Sequence, residues 1–283
     1  MASAVQSHQA LHQPPIVHRK RWGSWILGAV ALAFAATIIG AAINARIVDL
    51  EVFSRYIFSP LIMRGALNAI ILGTLALFIA AIIGFVIALM RVSGNPILVA
   101  LSSTYVYLFR GTPMLIQLIF WFNAVPIMFP QLYLALPFVG PLIDAPTTAV
   151  ITPFVAALAG LSLAESAYMS EIIRGGILAV DNGQRMAARA LGMTQRKVLQ
   201  QVIVPQAGRI IIPAAGNQYI MLLKSTSLAS AVGYLELLRV ATDIYSSNFR
   251  VVELLAVAAF WYLAMTAFAT ALQTTLEKMF PQR

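Results

Sequence analysis

Five ionisable side chains that lie inside apolar stretches have the clearest capacity for chemistry in this sequence. They are Arg110, Glu165, Glu171, Arg174 and Lys224. A charged group within a hydrophobic segment is costly to bury, so it is usually paired or faces a water-filled cavity. Each of these side chains therefore either forms an internal ion pair or binds a polar solute.

Glu171 and Arg174 have the simpler interpretation. They are three residues apart, a spacing that places both side chains on the same side of a helix. The spacing predicts a structural ion pair near the end of that helix rather than a binding site.

Glu165 lies deeper in the same apolar stretch and has no oppositely charged residue at helical spacing. Two interpretations stay open. The carboxylate forms a salt bridge with Arg110 or Lys224 from another helix, or it faces a cavity and binds the ammonium group or cationic side chain of a solute.

The common catalytic motifs are absent from the sequence. None of the four lysines stands in a GxxxxGK[ST] P-loop, and neither HExxH nor GxSxG occurs. The lack of cysteine excludes disulfides and thiolate metal sites. We therefore predict that the chain is not an enzyme and binds no cofactor or metal itself, so that energy must come from an ion gradient or a separate ATPase.

The composition places the chain in a membrane. Of its 283 residues 60% are hydrophobic and only 10% are charged, whereas soluble domains are about 25% charged. The net charge of +9 fits basic cytoplasmic loops. It does not indicate nucleic-acid binding, because no basic stripe with interleaved aromatic residues occurs.

Six apolar stretches are long enough to cross a bilayer, since about 20 helical residues span its hydrocarbon core. They run over about 25–45, 65–90, 97–125, 149–173, 210–232 and 251–275. The predicted fold is an all-α integral membrane protein with about six transmembrane helices. Arg110-Gly111-Thr112-Pro113 interrupts the third stretch, and broken helices of this kind supply binding groups or hinges in transporters. The second apolar stretch, about residues 65–90, has small residues on one face, which favours close packing against another helix.

The remaining segments divide the chain into four parts. We predict a cytoplasmic tail over 1–21, an extra transmembrane helix with a mixed-charge connector over 22–59, a transmembrane domain over 60–280 and a short tail over 281–283. Residues 126–148, rich in proline, are predicted to form an extracytoplasmic loop. Most of the 19 Lys and Arg residues fall on the side of the two termini, which the positive-inside rule places in the cytoplasm.

The longest charged run, Asp181–Pro205, has the form of two short amphipathic helices joined at a glycine. We call it the coupling knob. Asp181 is predicted to cap the first helix with Gln184 in a capping box, and Gly192 to end it. Thr194 is predicted to cap the second helix, and Pro205 to stop it. The predicted apolar faces are Ala187, Ala188 and Leu191 in the first helix and Val198, Leu199, Val202 and Ile203 in the second.

Several motifs together resemble one family. They are Met186-Ala187-Ala188 with Gly192 and Ile203-Val204-Pro205, the Arg110–Pro113 motif, Ala167–Ile177 and Leu222–Leu228. Across about residues 60–280 the sequence resembles the permease subunits of ABC importers, in the polar amino-acid (histidine, glutamine or arginine) branch. The knob resembles the EAA loop that docks on an ATPase subunit in that family.

The resemblance implies a type I ABC importer permease in a bacterial cytoplasmic membrane, forming an amino-acid pathway driven by ATP and Mg on separate ATPase subunits. It also implies a second permease chain, identical or related, and an extracytoplasmic solute-binding protein. The implied substrate pathway is Arg110, Thr112, Glu165, Lys224, Ser225 and Thr226. The implied ATPase-coupling residues are Gln184, Arg185, Ala187, Ala188, Arg189, Gly192 and Met193.

Three positions depart from the family pattern. Met186 stands where the family has glutamate, Ala164 where it often has asparagine, and Ser225 where it often has aspartate. The resemblance therefore does not transfer a particular amino acid, and the missing aspartate argues mildly against a specialist for arginine or lysine. Two rival hypotheses are an ion-coupled secondary transporter with Glu165 or Glu171 at the ion site, and a membrane scaffold that does not transport.

Overall fold

A computed structural model describes residues 22–44, 48–136 and 140–279. Most of these residues are helical. The chain divides into two compact units, of which the first ends at Val48 and the second begins at Asp49. The first unit contains α1 (Trp22–Asn44), a helix of 23 residues with exposed apolar side chains such as Trp25 and Phe34. The predicted first helix is therefore present. The predictions for residues 1–21 and 281–283 lie outside the described residues.

The second unit contains the other helices and one hairpin. They are α2 (Leu50–Ile57), α3 (Pro60–Val92), α4 (Pro96–Gly111), α5 (Met114–Ile119), α6 (Val125–Met128), β1 (Gln131–Leu136), β2 (Gly140–Pro146), α7 (Thr147–Val150), α8 (Pro153–Leu178), α9 (Asn182–Ala190), α10 (Gln195–Lys197), α11 (Val204–Ser225), α12 (Leu237–Asn248) and α13 (Val251–Met279). Two π turns, Phe120–Ala124 and Val198–Ile203, and a 3₁₀ turn, Thr226–Val232, continue helices without a break.

The core of this unit is the close pairing of α3 with α8. The buried face of α3 has small residues at the predicted positions, including Gly73, Ala76, Ala80, Gly84 and Ala88. A Cβ added at Gly84 would lie 2.9 Å from the carbonyl oxygen of Ser166. The two helices can therefore approach each other only because these positions lack bulk.

The unit has two ends that can be recognised from helix contacts. At one end Arg91 of α3 meets Glu171 of α8, and Gln273 of α13 donates a hydrogen bond to the carbonyl oxygen of Pro213, in α11, at 3.4 Å. The coupling knob follows α8 at this end, which we call the knob end. At the opposite, far end, Gly65 of α3 lies against Leu237 of α12.

By length and composition, α3 and α13 can each cross a bilayer. The third predicted span is bent by 102° between α4 and the helix at 114–128, so it is a broken span or a re-entrant loop rather than a single rod. The total of six spans stays a prediction.

Two segments have regular structure that was not predicted, one expected to be a loop and one for which no secondary structure was assigned. The predicted loop at 126–148 contains the antiparallel hairpin of β1 and β2, in which Gln131 pairs with Pro146. The mixed-charge connector contains α2, which begins at the Asp49 cap. Strand propensity is a weak signal in so short a hairpin, where pairing with the neighbouring strand decides the structure. α2 is different, because Val52, Phe53, Tyr56 and Ile57 have helical spacing and pack against the same core cluster.

The prediction that Pro205 stops a helix is wrong. α10 passes through the π turn Val198–Ile203 directly into α11, with Pro205 in the first turn of α11. Proline lacks an N–H group and clashes with the carbonyl group four residues earlier. A π turn ahead of proline widens the helix at that carbonyl group and lets the helix continue.

Candidate translocation and coupling sites

The break between α4 and α5 is held by one buried amide. The Gln117 side chain, 8% exposed, donates hydrogen bonds to the carbonyl oxygens of Phe109 and Thr112 at 3.0 and 3.1 Å and to the Thr112 hydroxyl at 2.8 Å. These bonds satisfy carbonyl groups that the helix break leaves free. Sequence reasoning missed Gln117, although a polar residue one turn after the Gly-Thr-Pro interruption was a usable signal.

An apolar cavity of about 440 Å³ borders this break. Its lining is Leu108, Phe109, Thr112, Ile116, Gln117, Phe120 and Trp121. Arg110, at the last turn of α4, is exposed and places its guanidinium carbon 4.9 Å from the ring centroid of Tyr168 on α8. This cation–π contact connects the broken helix to α8.

Glu165 is buried in α8, with 2% of its surface exposed. Its Oε1 atom has no hydrogen-bond partner, while Gln218 of α11 approaches the carboxyl group. Among the described residues, neither Arg110 nor Lys224 forms an ion pair with it. The salt-bridge interpretation is therefore wrong for this conformation. The carboxyl group also lies inside the chain rather than at an open cavity.

The predicted pathway residues at the end of α11 lie in two different environments. Lys224 is exposed, and the Ser225 hydroxyl donates to the carbonyl oxygen of Met221 at 3.1 Å. Thr226 is fully buried and donates to the carbonyl oxygen of Leu223 at 2.7 Å, with its methyl group next to Gly73. Thr226 therefore packs in the core of this conformation, away from the exposed Lys224.

Glu171 forms a three-membered ion cluster. Its Oε2 atom accepts hydrogen bonds from Arg174 at 2.7 and 3.1 Å, so the predicted pair is present. Its Oε1 atom accepts a bond from Arg91 of α3. The cluster links the ends of α3 and α8 beside the knob. Arg91 is 80 residues away in sequence, and no local spacing could have indicated it.

The coupling knob has the predicted caps and glycine bend. Asp181 accepts a hydrogen bond from the Gly183 N–H at 2.8 Å, and Thr194 caps the second helix. Gly192 has a φ of 75°, and the amide of Met193 donates to the carbonyl oxygen of Ala188 at 3.1 Å. These are the features of a Schellman motif, which favours glycine because a left-handed residue without a Cβ carries no strain.

Two details of the knob differ from prediction. The Gln184 side chain accepts a hydrogen bond from Gln206 at 3.1 Å instead of completing a capping box. Of the predicted edge of the first helix only Ala188 is buried, whereas Ala187 is exposed and Leu191 is 82% exposed. The helix is too short to bury more than one side chain against the knob core, which consists of Val180, Ala188, Val198, Ile203 and Ala207 with Met193 packed against it.

Polar bonds fix the outer part of the knob. Arg185 donates to the carbonyl oxygen of Ile177, and Arg189 donates to Gln195 Oε1 at 2.9 Å. Met186 is 65% exposed on the same helix. The knob is therefore a two-helix unit whose exposed side carries two apolar side chains, Met186 and Leu191.

At the far end, α2, α12 and the start of α13 form a connected layer that we call the far-end collar. Glu236, fully buried, caps α12 by accepting hydrogen bonds from the amides of Leu238 and Arg239 at 2.9 and 2.8 Å and from the Tyr262 hydroxyl at 2.5 Å. Burial raises the pKa of this carboxyl group, and the three hydrogen bonds act to lower it. Sequence reasoning missed Glu236.

Within the described ranges, no cluster of His, Cys, Asp or Glu is arranged to hold a metal ion. Residues 80–280 match the family described as binding-protein-dependent transport system inner membrane component. The chain belongs to this family.

Relatives and solved structures agree with this membership. The chain is 39% identical over 259 residues to an arginine transport system permease protein of Corynebacterium glutamicum, covering 91% of this chain and 80% of the relative. It is 31% identical over 219 residues to the glutamine transport system permease protein of Escherichia coli, covering 77% of this chain and 92% of the relative. A solved amino acid ABC transporter with histidines matches with a TM-score of 0.70 and 34% identity, over 82% of this chain and 99% of that one.

A structure of a methionine ABC transporter, 16% identical with a TM-score of 0.64, shows the same fold. The predicted type I ABC importer permease fold is thus confirmed, and the chain is a membrane transport component of an ABC system.

Proposed function

We propose that this permease forms the membrane pathway of an importer for polar amino acids, in a bacterial cytoplasmic membrane. The observation that carries the proposal is the likeness over nearly the whole length of a solved amino acid ABC transporter chain. The named functions of the arginine and glutamine relatives support the substrate class. Ser225 and Ala164 still leave the particular amino acid open.

The pathway in this proposal follows the broken helix. Arg110 and Thr112 lie at the break, and both are exposed in the single chain. Lys224 and Ser225 contribute from α11. A second permease chain, identical or related, would close the pathway from the other side, because these polar groups need water or solute within a bilayer.

Glu165 is the proposed ligand for the ammonium group of the substrate. A buried carboxylate with a free oxygen is costly unless another state of the protein supplies a partner. Alternating access would supply it, as α8 and α11 separate and expose the carboxyl group to the pathway. Thr226, predicted to line the pathway, is packed against α3 in this conformation and supports the end of α11 there.

The coupling knob is the proposed contact with ATPase subunits, on which ATP and Mg would bind. Gly192 and Met193 set its bend, and Met186 and Leu191 present apolar surface. Gln184, Arg185, Ala187 and Arg189 complete the coupling surface, and the buried Ala188 supports it from the knob core. The knob end then faces the cytoplasm together with both termini, and the far end faces outward.

Uptake of labelled amino acids by proteoliposomes tests the substrate class. The liposomes contain the permease and its ATPase subunits, and the solute-binding protein encoded beside this chain is added outside. We expect uptake of one or a few polar amino acids, such as arginine, histidine or glutamine, and none of leucine. Uptake of leucine and exclusion of all polar amino acids would contradict the proposal.

A further inference from the structure

The turn between α12 and α13 has a backbone conformation that its sequence does not favour. Phe249 has a φ of 60° and a ψ of 15°, in the left-handed region. Every other positive-φ residue in the described ranges is a glycine. A bulky side chain at positive φ is an outlier, and strained residues of this kind cluster at functional sites.

Internal packing of the ring does not compensate this strain. The Phe249 side chain is 85% exposed and buries little surface in its own chain. Glycine at the same C-cap would adopt the conformation without strain. A phenyl ring in this place therefore gains its contact outside the chain.

The turn is rigid despite its exposure. The Phe249 amide donates to the carbonyl oxygen of Tyr245 at 2.8 Å, and the Asn248 side chain donates to the Tyr56 hydroxyl at 3.3 Å. Arg250 lies 3.7 Å from a carboxylate oxygen of Asp49 and 3.6 Å from one of Glu253. An aromatic side chain on a rigid turn loses little freedom on binding, which is typical of a docking anchor.

The position of the turn identifies the kind of partner. α13 begins beside Phe249 and reaches Pro213 at the knob end with Gln273, so Phe249 lies at the opposite end from the knob. We propose that Phe249 is a docking contact for the solute-binding protein, with its ring in an apolar pocket of that protein and Arg250 at the polar rim. The inference rests on the proposed function, which places the far end outside the cytoplasm, and the family is described as binding-protein-dependent. A buried aromatic anchor inside a polar rim is the usual form of an interaction hot spot.

Site-specific labelling can separate a protein partner from a lipid surface, because the chain has no cysteine. Ser247→Cys, at an exposed position two residues before Phe249, leaves the phenyl ring in place and is labelled with a thiol-reactive bimane in nanodiscs that contain the permease and its ATPase subunits. We expect its emission to change when the solute-binding protein encoded beside this chain is added, and brominated lipids to leave it unquenched. Phe268→Cys, 75% exposed within α13, is the control that brominated lipids should quench. Quenching of the label at position 247 by brominated lipids, or no response of the label to the binding protein, would overturn the docking site.

A second variant removes the phenyl ring without adding backbone strain at position 249. Phe249→Gly is compatible with positive φ, so the chain should fold normally. We expect the basal ATPase rate to stay unchanged and the concentration of binding protein that half-maximally stimulates ATPase activity to rise about tenfold, as for loss of one hot-spot residue. An unchanged concentration would overturn the inference. If the binding protein fails to stimulate even the unmodified complex, the proposed function itself is contradicted, so the two failures are distinguishable.

Discussion

Glu165 and Glu236 are both buried carboxylates, and they differ in their partners. Glu236, with no exposed surface, accepts hydrogen bonds from two backbone amides and the Tyr262 hydroxyl. Glu165, 2% exposed, has an oxygen without any partner. A buried charge is tolerated when its hydrogen bonds are satisfied and is destabilising otherwise. We therefore expect a structural role for Glu236 and propose a functional role for Glu165.

The same contrast extends to the regions around them. In the far-end collar, polar groups connect α2, α12 and α13, and Trp261 also donates to the carbonyl oxygen of Ile57 at 2.7 Å. Along the proposed pathway and knob, Lys224, Met186 and Leu191 are exposed in this single chain. Hydrogen bonds connect the helices of the collar, whereas we propose that the pathway and knob offer groups for solute and partner chains.

The largest expected effect is at Glu236. Glu236→Ala removes the cap of α12 and leaves the Tyr262 hydroxyl buried without its acceptor, so we expect a loss of about 2–4 kcal/mol in unfolding free energy. Thermal unfolding of the purified permease in detergent measures it. Glu277→Ala, at an exposed glutamate of α13, is the matched control and should unfold like the unmodified chain. If Glu236→Ala changes the unfolding free energy as little as Glu277→Ala does, Glu236 has no structural role of this size.

Gly192→Val tests whether the knob can fail while the membrane core stays intact. A β-branched residue at a φ of 75° adds strain of roughly 1–2 kcal/mol, which should distort the knob bend. We expect ATP-driven uptake to fall at least about tenfold, with the melting temperature of the core preserved. Gly175→Ala, where an added Cβ meets no atom, should transport normally. Normal uptake by the valine variant would show that the knob bend does not couple ATP hydrolysis to transport.

The conservative exchange to glutamine compares the two carboxylates directly. Glu165→Gln removes an unsatisfied buried charge, so the melting temperature should stay the same or rise, while uptake falls about tenfold through loss of the ammonium ligand. Glu236→Gln should lower the melting temperature, because an amide cannot accept all three hydrogen bonds. The contrast between a functional Glu165 and a structural Glu236 is wrong if both glutamine variants lower the melting temperature equally and Glu165→Gln leaves uptake unchanged.

The smallest effect is expected at Met186, on the exposed side of the knob. Met186→Glu should leave stability unchanged, since the side chain is 65% exposed. It introduces a charge into an apolar contact, so ATPase stimulation should become more sensitive to salt, because salt screens exposed charges over about 10 Å at 0.1 M. ATPase stimulation by the unmodified permease and by the Met186→Glu variant is measured from low to high salt. The same salt dependence for the two proteins would show that position 186 makes no contact with the ATPase.

The parts of the fold set by local spacing were predictable from the sequence. The small-residue face of α3, the glycine bend at Gly192 and the pair of Glu171 with Arg174 all follow from helical periodicity or cap chemistry. The parts that depend on distant residues were not. Arg91 joins Glu171 across 80 residues, and Tyr262 joins Glu236 from another helix. Pro205 was misjudged because a π turn accommodates it.

The most direct test of the central claim is the energy source of transport. Proteoliposomes containing the permease with its ATPase subunits and the solute-binding protein should take up a polar amino acid only when ATP is present on the ATPase side. Removal of the ATPase subunits should abolish uptake completely. Uptake by the purified permease alone under a sodium or proton gradient would contradict the account.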